Sequence, residues 1–270
     1  MSADPLLVDL LEETARTLIQ RLKRPVRIGL SAAQGSGKST LATAWTKANP
    51  RVAHFSLDDI YLNTAARKAL ADRVSPLFKV RGAPGTHDLD LGKRTILQLE
   101  AARGRDATPL PRFDKVADQP VKPPAWPRYP GTPNVILIDG WCVGALPEPD
   151  DALVDPINAL EEKEDANGAW RGYANAQLAG PYAAFFERLD AIVALQAPAF
   201  DVVARWRTEQ EASLRGVRVE GLPPEVRANV ARFVLHYERI TRSMLAGGRR
   251  AEIVVRLDEN RAVLDIEGGV

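Results

Sequence analysis

The sequence predicts an α/β fold: a three-layer α/β/α sandwich around a mostly parallel central sheet, with a helical lid and a C-terminal β-hairpin. Three observations carry that reading. Four short apolar runs, 26–30, 52–57, 135–138 and 191–195, have the length and composition of strands buried on both faces. Helix-period patterns separate them, the alternation that builds parallel sheets. The first run leads directly into Ser31-Ala32-Ala33-Gln34-Gly35-Ser36-Gly37-Lys38-Ser39-Thr40 and then into a helical pattern carrying Leu41, Ala44 and Trp45.

Strand, tight loop and helix in that order are what a phosphate-binding P-loop requires, so the class is a P-loop NTPase sandwich. Gly35 and Gly37 let several N–H groups turn inward around an anion. The following helix adds its positive dipole end and its unpaired N–H groups. Gln34 to Thr40 are therefore the expected nucleotide-binding residues, with Lys38 reaching the terminal phosphates and the Ser39 hydroxyl available to Mg²⁺. Ala32 stands where the usual first glycine of the motif lies.

Composition narrows the class further. With 36 basic and 35 acidic residues the formal net charge is +1, which argues against nucleic acid as the main partner. The single cysteine, Cys142, excludes an internal disulfide and fits a reducing cytoplasm. Met1 to Pro5 reads as no secretory leader, and no apolar stretch is long enough to span a bilayer. All 270 residues read as one domain with a core over 26–245, a substrate loop near 105–133 and a lid near 201–220.

Along the chain, Asp4-Pro5 reads as an N-cap with proline at the first helical position, opening an amphipathic helix over 5–23. His54, inside the second strand, reads as a packed core residue. At that strand's end come Asp58, Asp59 and Tyr61, where ligands of open parallel sheets bind. One carboxylate there can accept the proton of an attacking hydroxyl and another can help hold Mg²⁺, or one of the pair caps the next helix. A helix follows over 64–73. The loop carrying Arg81, Thr86, His87 and Asp88 either clamps a small anionic or hydroxylated substrate or supplies capping chemistry around a turn.

Eight prolines from Pro109 to Pro133 exclude a long helix or central strand, so this segment reads as a functional loop presenting Arg112, Asp114 and Lys115. The run ending in Asp139 is a Walker B pattern, a buried strand that delivers a carboxylate to the Mg²⁺ side of the phosphates. Residues 145–168 read as an acidic surface insertion with a short helix near 157–164 and a solvated charged face. A helical pattern over 170–189 is interrupted at Gly180-Pro181. The helix over 201–214 carries Arg205 and Arg207, which either fold over the transferring phosphoryl group or simply pair with Glu209 and Glu211. A helix over 225–245 and a hairpin, with strands 253–257 and 261–266 around Asp258-Glu259-Asn260, end the chain.

Taken together, these motifs resemble the glycerate kinase group of P-loop kinases, relatives of the phosphoribulokinase, uridine kinase and pantothenate kinase families. The matching pieces are Ser31 to Thr40, Ser56 to Tyr61, Arg81-Gly82 with Gly85-Thr86-His87-Asp88, Pro111 to Lys115, Ile138 to Trp141, and Arg205-Trp206-Arg207 with Gln210-Glu211. The resemblance implies ATP-dependent phosphorylation of a small-molecule hydroxyl, with D-glycerate giving 3-phosphoglycerate as the named activity. It also implies Asp58 as the catalytic acid after the second strand and Arg205 and Arg207 as the lid. The chain departs from the family after Asp114-Lys115, where prolines replace a glycine-rich segment, and at Asp139, where glutamate is expected.

The expected machinery is then Mg-ATP on the P-loop, metal at Ser39 and Asp139, and catalysis by Lys38, Asp58, Arg205 and Arg207. Asp59, Tyr61, Arg81, His87, Asp88, Arg112, Asp114 and Lys115 are the expected surroundings of an anionic hydroxy-acid acceptor. Another small alcohol, such as a nucleoside or a pantothenate-like acceptor, uses the same machinery. An ATP-driven switch or chaperone is the reading from a different class.

Overall fold

A computed structural model describes residues 3–270; Met1 and Ser2, the start of the segment read as leaderless, lie outside the described residues. Helix α1 (Pro5–Leu22) starts where expected, with Asp4 Oδ1 accepting the Leu6 N–H at 3.0 Å. Then follow β1 (Val26–Ala32), α2 (Lys38–Ala48), β2 (Val52–Ser56), α3 (Thr64–Arg73) and α4 (Leu89–Ala101). The proline-rich stretch forms only short strands, β3 (Ala107–Pro109), β4 (Phe113–Asp114), β5 (Gln119–Pro120) and β6 (Arg128–Pro130), because proline lacks the N–H a longer ladder needs. After these come β7 (Val135–Gly140), α5 (Ala159–Glu164), α6 (Ala169–Gln177), α7 (Ala183–Phe186), β8 (Ala191–Gln196), α8 (Phe200–Leu214), α9 (Pro224–Leu245), β9 (Ile253–Leu257) and β10 (Val263–Gly268).

The central sheet has the order β10-β9-β8-β1-β7-β2. Its strands are parallel except β10, which returns antiparallel on β9 as the expected hairpin. Alternate residues of one strand face opposite layers. Val135 and Leu137 of β7 pack with α1, α2 and α8, whereas Ile136 and Ile138 pack with α4, α7 and Tyr237 and Met244 of α9. That double burial is why the strands read as nearly unbroken apolar runs. Gly29 is required where the segments after α7 and β7 crowd against β1, since a Cβ there would lie 2.9 Å from both Leu189 and Val143. Among the described residues no helix is long and apolar enough to cross a membrane.

Two expectations change. Gly180-Pro181 does not break the helix: a π-helical turn over Leu178–Tyr182 absorbs the proline and runs into α7. The acidic stretch 145–168 is not merely a solvated face. Glu161 is fully buried and holds Arg239 through two hydrogen bonds of 2.7 and 2.8 Å, and buried Asp165 holds Arg171 at 3.0 Å. Asp165 also accepts the backbone N–H groups of Trp170 and Arg171 at the start of α6. These acids fasten the insertion to α9 and α6 beside a satellite core of Leu70, Phe78, Leu160 and Trp170.

Candidate active site

The C-terminal ends of β1, β7 and β2 converge on one cluster of charged groups. After β1 the loop turns through Gly35 and Gly37, at φ +75° and +91°, a region that penalises any side chain. At Gly35 space forbids one as well, since a Cβ would meet the Trp206 backbone at 2.7 Å. Ala32 is still a residue of β1 with no need for positive φ, which explains why alanine replaces glycine there without disturbing the turn. Gly37 caps α2 without a side-chain bond, so the first amides of α2 stay open to an anion.

Lys38 forms a buried ion pair with the Asp139 carboxylate. Burial works against the ammonium, but the Asp139 and Asp58 charges outweigh it and hold the Lys38 proton more firmly than usual. Burial likewise works against the Asp139 charge, yet Lys38 and His54 hold this carboxyl well below the usual range. His54 Nε2 lies 2.6 Å from Asp139 Oδ1. His54 is therefore a partner of the Walker B acid rather than a packed core residue.

Beyond β2 the chain makes a 3-10 turn over Leu57–Ile60. Here the two acids part company. Asp59 completes a capping box, accepting the Ser56 N–H at 2.9 Å, and also accepts from Arg112 at 3.0 Å. Asp58 closes no cap with its side chain. It accepts instead from Lys115 at 2.5 Å and from the Tyr61 hydroxyl at 2.7 Å. Burial raises the Asp58 pKa, but Lys115 and Lys38 overcome it, and the group stays ionised. Burial raises Asp59 despite Arg112.

His87 stacks on Tyr61, with ring centroids 4.6 Å apart, and its Nδ1 lies 2.5 Å from the Tyr182 hydroxyl. That hydroxyl already accepts the Gly85 N–H at 3.0 Å. With no other acceptor for the phenol proton, Tyr182 donates to Nδ1, and a neutral His87 carries its proton on Nε2. Nε2 is buried without a partner among the described residues. Burial lowers the His87 pKa from 6.5 to about 4, so the imidazole is neutral at physiological pH. The folded state then refuses a proton that the unfolded chain accepts. Stability present above pH 6.5 is lost as pH falls toward 4, by roughly 3 kcal/mol for this group. Urea unfolding at pH 7 and pH 4.5 should display that loss, and His87→Gln should shrink it; an equal loss in both proteins would assign the acid sensitivity elsewhere.

With this geometry in place, the chain can be set against known proteins. No family model matches it. The uncharacterized kinase mug58 of Schizosaccharomyces pombe is 33% identical over 226 residues, covering 79% of each chain. The chain belongs to the same kinase family as this protein. It is an ATP-dependent small-molecule kinase. The chloroplastic D-glycerate 3-kinase of Arabidopsis thaliana is 30% identical over 259 residues, 88% of this chain but only 53% of the plant protein. Among solved structures, the D-glycerate 3-kinase of Cryptococcus neoformans superposes with a TM-score of 0.78 at 20% identity, over 97% of this chain and 99% of that one. The YGR205w protein gives 0.72 at 21%, over 98% and 99%. These two likenesses bear on the fold.

In this kinase the expected site residues fall into three groups. Lys38 pairs with Asp139, Asp59 with Arg112, and Asp58 with Lys115 and Tyr61, three sets gathered at the sheet's C-terminal edge where the Asp58 charge still acts on Lys38. Others have local partners. Arg81 pairs with Asp118 at 2.5 Å, Asp88 caps α4 through the Leu91 N–H at 2.8 Å, and Asp114 accepts the Val116 and Ala117 N–H groups at 2.9 Å each. Thr86 closes its own turn, bonding the Gly82 N–H and the Ala83 carbonyl, so capping chemistry accounts for Thr86 and Asp88. The two arginines expected in a lid are engaged too: Arg205 with Glu259 at 3.1 Å and Arg207 with Glu211 at 2.9 Å. Yet Arg207 Nη1 and Gln34 Oε1 are buried without partners among the described residues. His54, Tyr182 and Arg261 were not anticipated in the site.

Proposed function

We propose that the kinase transfers the γ-phosphoryl group of Mg-ATP to a hydroxyl of D-glycerate. The observation that carries this is the separation of the two acids after β2. Asp59 is committed to its cap, while Asp58 remains an ionised carboxylate whose charge is felt by the P-loop lysine.

The site fits the reactants by its chemistry. The open amides of α2 and the unpartnered Arg207 Nη1 and Gln34 Oε1 are groups that a bound nucleotide can satisfy. Ser39 and Asp139 offer hard oxygen donors, a set that suits Mg²⁺, which keeps several waters and binds through few protein groups. When bound, the metal neutralises phosphate charge that develops during transfer. Lys38, now balanced by Asp139, meets that charge as a cation. Asp58 accepts the hydrogen bond of the acceptor hydroxyl and orients it; a loose transition state demands orientation more than a strong base. Lys115 and Arg112, paired with Asp58 and Asp59, are cations that an acceptor carboxylate can also draw on. The His87 Nε2–H is a neutral donor for a further oxygen of the acceptor.

Support for glycerate itself comes from the names of the Arabidopsis and Cryptococcus relatives. ADP release that depends on D-glycerate, with phosphoglycerate as product, is the test.

A further inference from the structure

We propose that Arg261, at the tip of the C-terminal hairpin, is a positioning residue for the phosphate-binding loop, so that the hairpin forms a wall of the nucleotide site. The sequence places this residue at the start of a strand. The structure places it in the turn before β10, at φ +73°, which a non-glycine residue rarely adopts. Asp258 enforces the turn: its carboxylate accepts the N–H groups of Asn260 at 2.7 Å and Ala262 at 2.8 Å.

From that turn one guanidinium grips two other elements. Nε donates to the Gly35 carbonyl at 2.7 Å, Nη2 pairs with Glu209 of α8 at 2.7 Å, and the group lies 4.8 Å from the ring centre of Trp206. The neighbouring Glu259 carbonyl accepts from Trp206 Nε1 at 2.8 Å and from Arg205 at 3.1 Å. Gly35 is thus held between the Trp206 backbone on one side and Arg261 on the other.

The consequence follows from the peptide plane. The carbonyl and the next N–H of a planar trans peptide point in opposite directions. Anchoring the Gly35 carbonyl outward fixes the orientation of the Gly35–Ser36 peptide, whose N–H lies 3.4 Å from the Ala33 carbonyl within the loop, and so sets the path of the chain into Gly37 and the open amides of α2. The same clasp fixes α8, and with it Arg207, against the loop. A planar five-donor fork stacked on an indole does this; a flexible ammonium cannot hold both bonds and the ring.

The inference rests on the loop being the ATP site, and the test separates the two. ATP binding is measured by calorimetry on the wild-type chain, R261A and R261K, alongside thermal melting and KM for the acceptor. R261A should weaken ATP about tenfold, the loss expected for a charged hydrogen bond, with the acceptor KM unchanged. R261K, which keeps the charge without the fork, should recover little of it. Unaltered ATP affinity in R261A, or full recovery in R261K, overturns the proposal. So does an R261A defect that lowers melting and weakens both substrates equally. A wild type that binds no ATP instead removes the P-loop reading itself, and the proposal with it.

Discussion

Asp58→Asn is expected to lower kcat by about 10²–10⁴-fold, the range for a carboxylate that handles the proton of a reacting hydroxyl, while the ATP dissociation constant changes little. The reason lies in what Asp58 touches. Its partners are Lys115 and Tyr61, and it closes no cap and joins no buried structural ion pair. Asparagine keeps the shape and can still accept from Tyr61, but it is a poorer acceptor for the hydroxyl that attacks phosphorus. An interaction that strengthens during transfer is lost from kcat and kcat/KM together. Asp59→Asn is the internal comparison. It disturbs the Ser56 cap and the Arg112 pair, so its effect falls on stability as well as rate. Steady-state kinetics with ATP titrations on both variants decide it. If Asp59→Asn, and not Asp58→Asn, shows the selective loss of kcat, the assignment of the two acids is reversed.

The second large effect is at Lys38. Lys38→Ala is expected to remove turnover to below about a thousandth of wild type, since a cation aimed at developing phosphate charge is among the largest single contributions to transfer. The fold should survive. Asp139 keeps His54 as a partner, and Ser56 Oγ still bonds the Asp139 carbonyl at 3.1 Å. ATP affinity should fall too, because the ammonium binds ground-state phosphate as well. Circular dichroism and single-turnover kinetics together make the check. Undiminished turnover in a folded variant would take the P-loop out of the mechanism.

Much of this architecture was legible because its signals are local. A glycine pair before Lys-Ser, an apolar run ending in Asp139, and the Asp4-Pro5 helix start each declare themselves within ten residues. Even the division of labour between Asp58 and Asp59 had a local signal. Ser56-Leu57-Asp58-Asp59 is a capping-box spacing that points to Asp59 as the structural acid.

What stayed hidden depends on registers between distant segments. His54 meets Asp139 only because β7 lies beside β2, with Ser56 opposite Asp139, and nothing near residue 54 specifies that neighbour. Arg261 lies 226 residues from the carbonyl it holds. Tyr182 sits in a segment whose glycine and proline suggested an interruption, whereas the π-turn buries it against His87. Glu161 looked solvated because its partner Arg239 lies 78 residues away, while Asp165 and Arg171 are near neighbours whose burial together composition does not reveal.

The most direct measurement is ADP release from Mg-ATP with and without D-glycerate, with uridine and pantothenate run alongside and the product identified. A glycerate kinase releases ADP slowly alone, rapidly with glycerate, and yields phosphoglycerate. Release that another alcohol stimulates while glycerate does not would contradict the proposed substrate, and equally fast release with no acceptor present would contradict the kinase reaction itself.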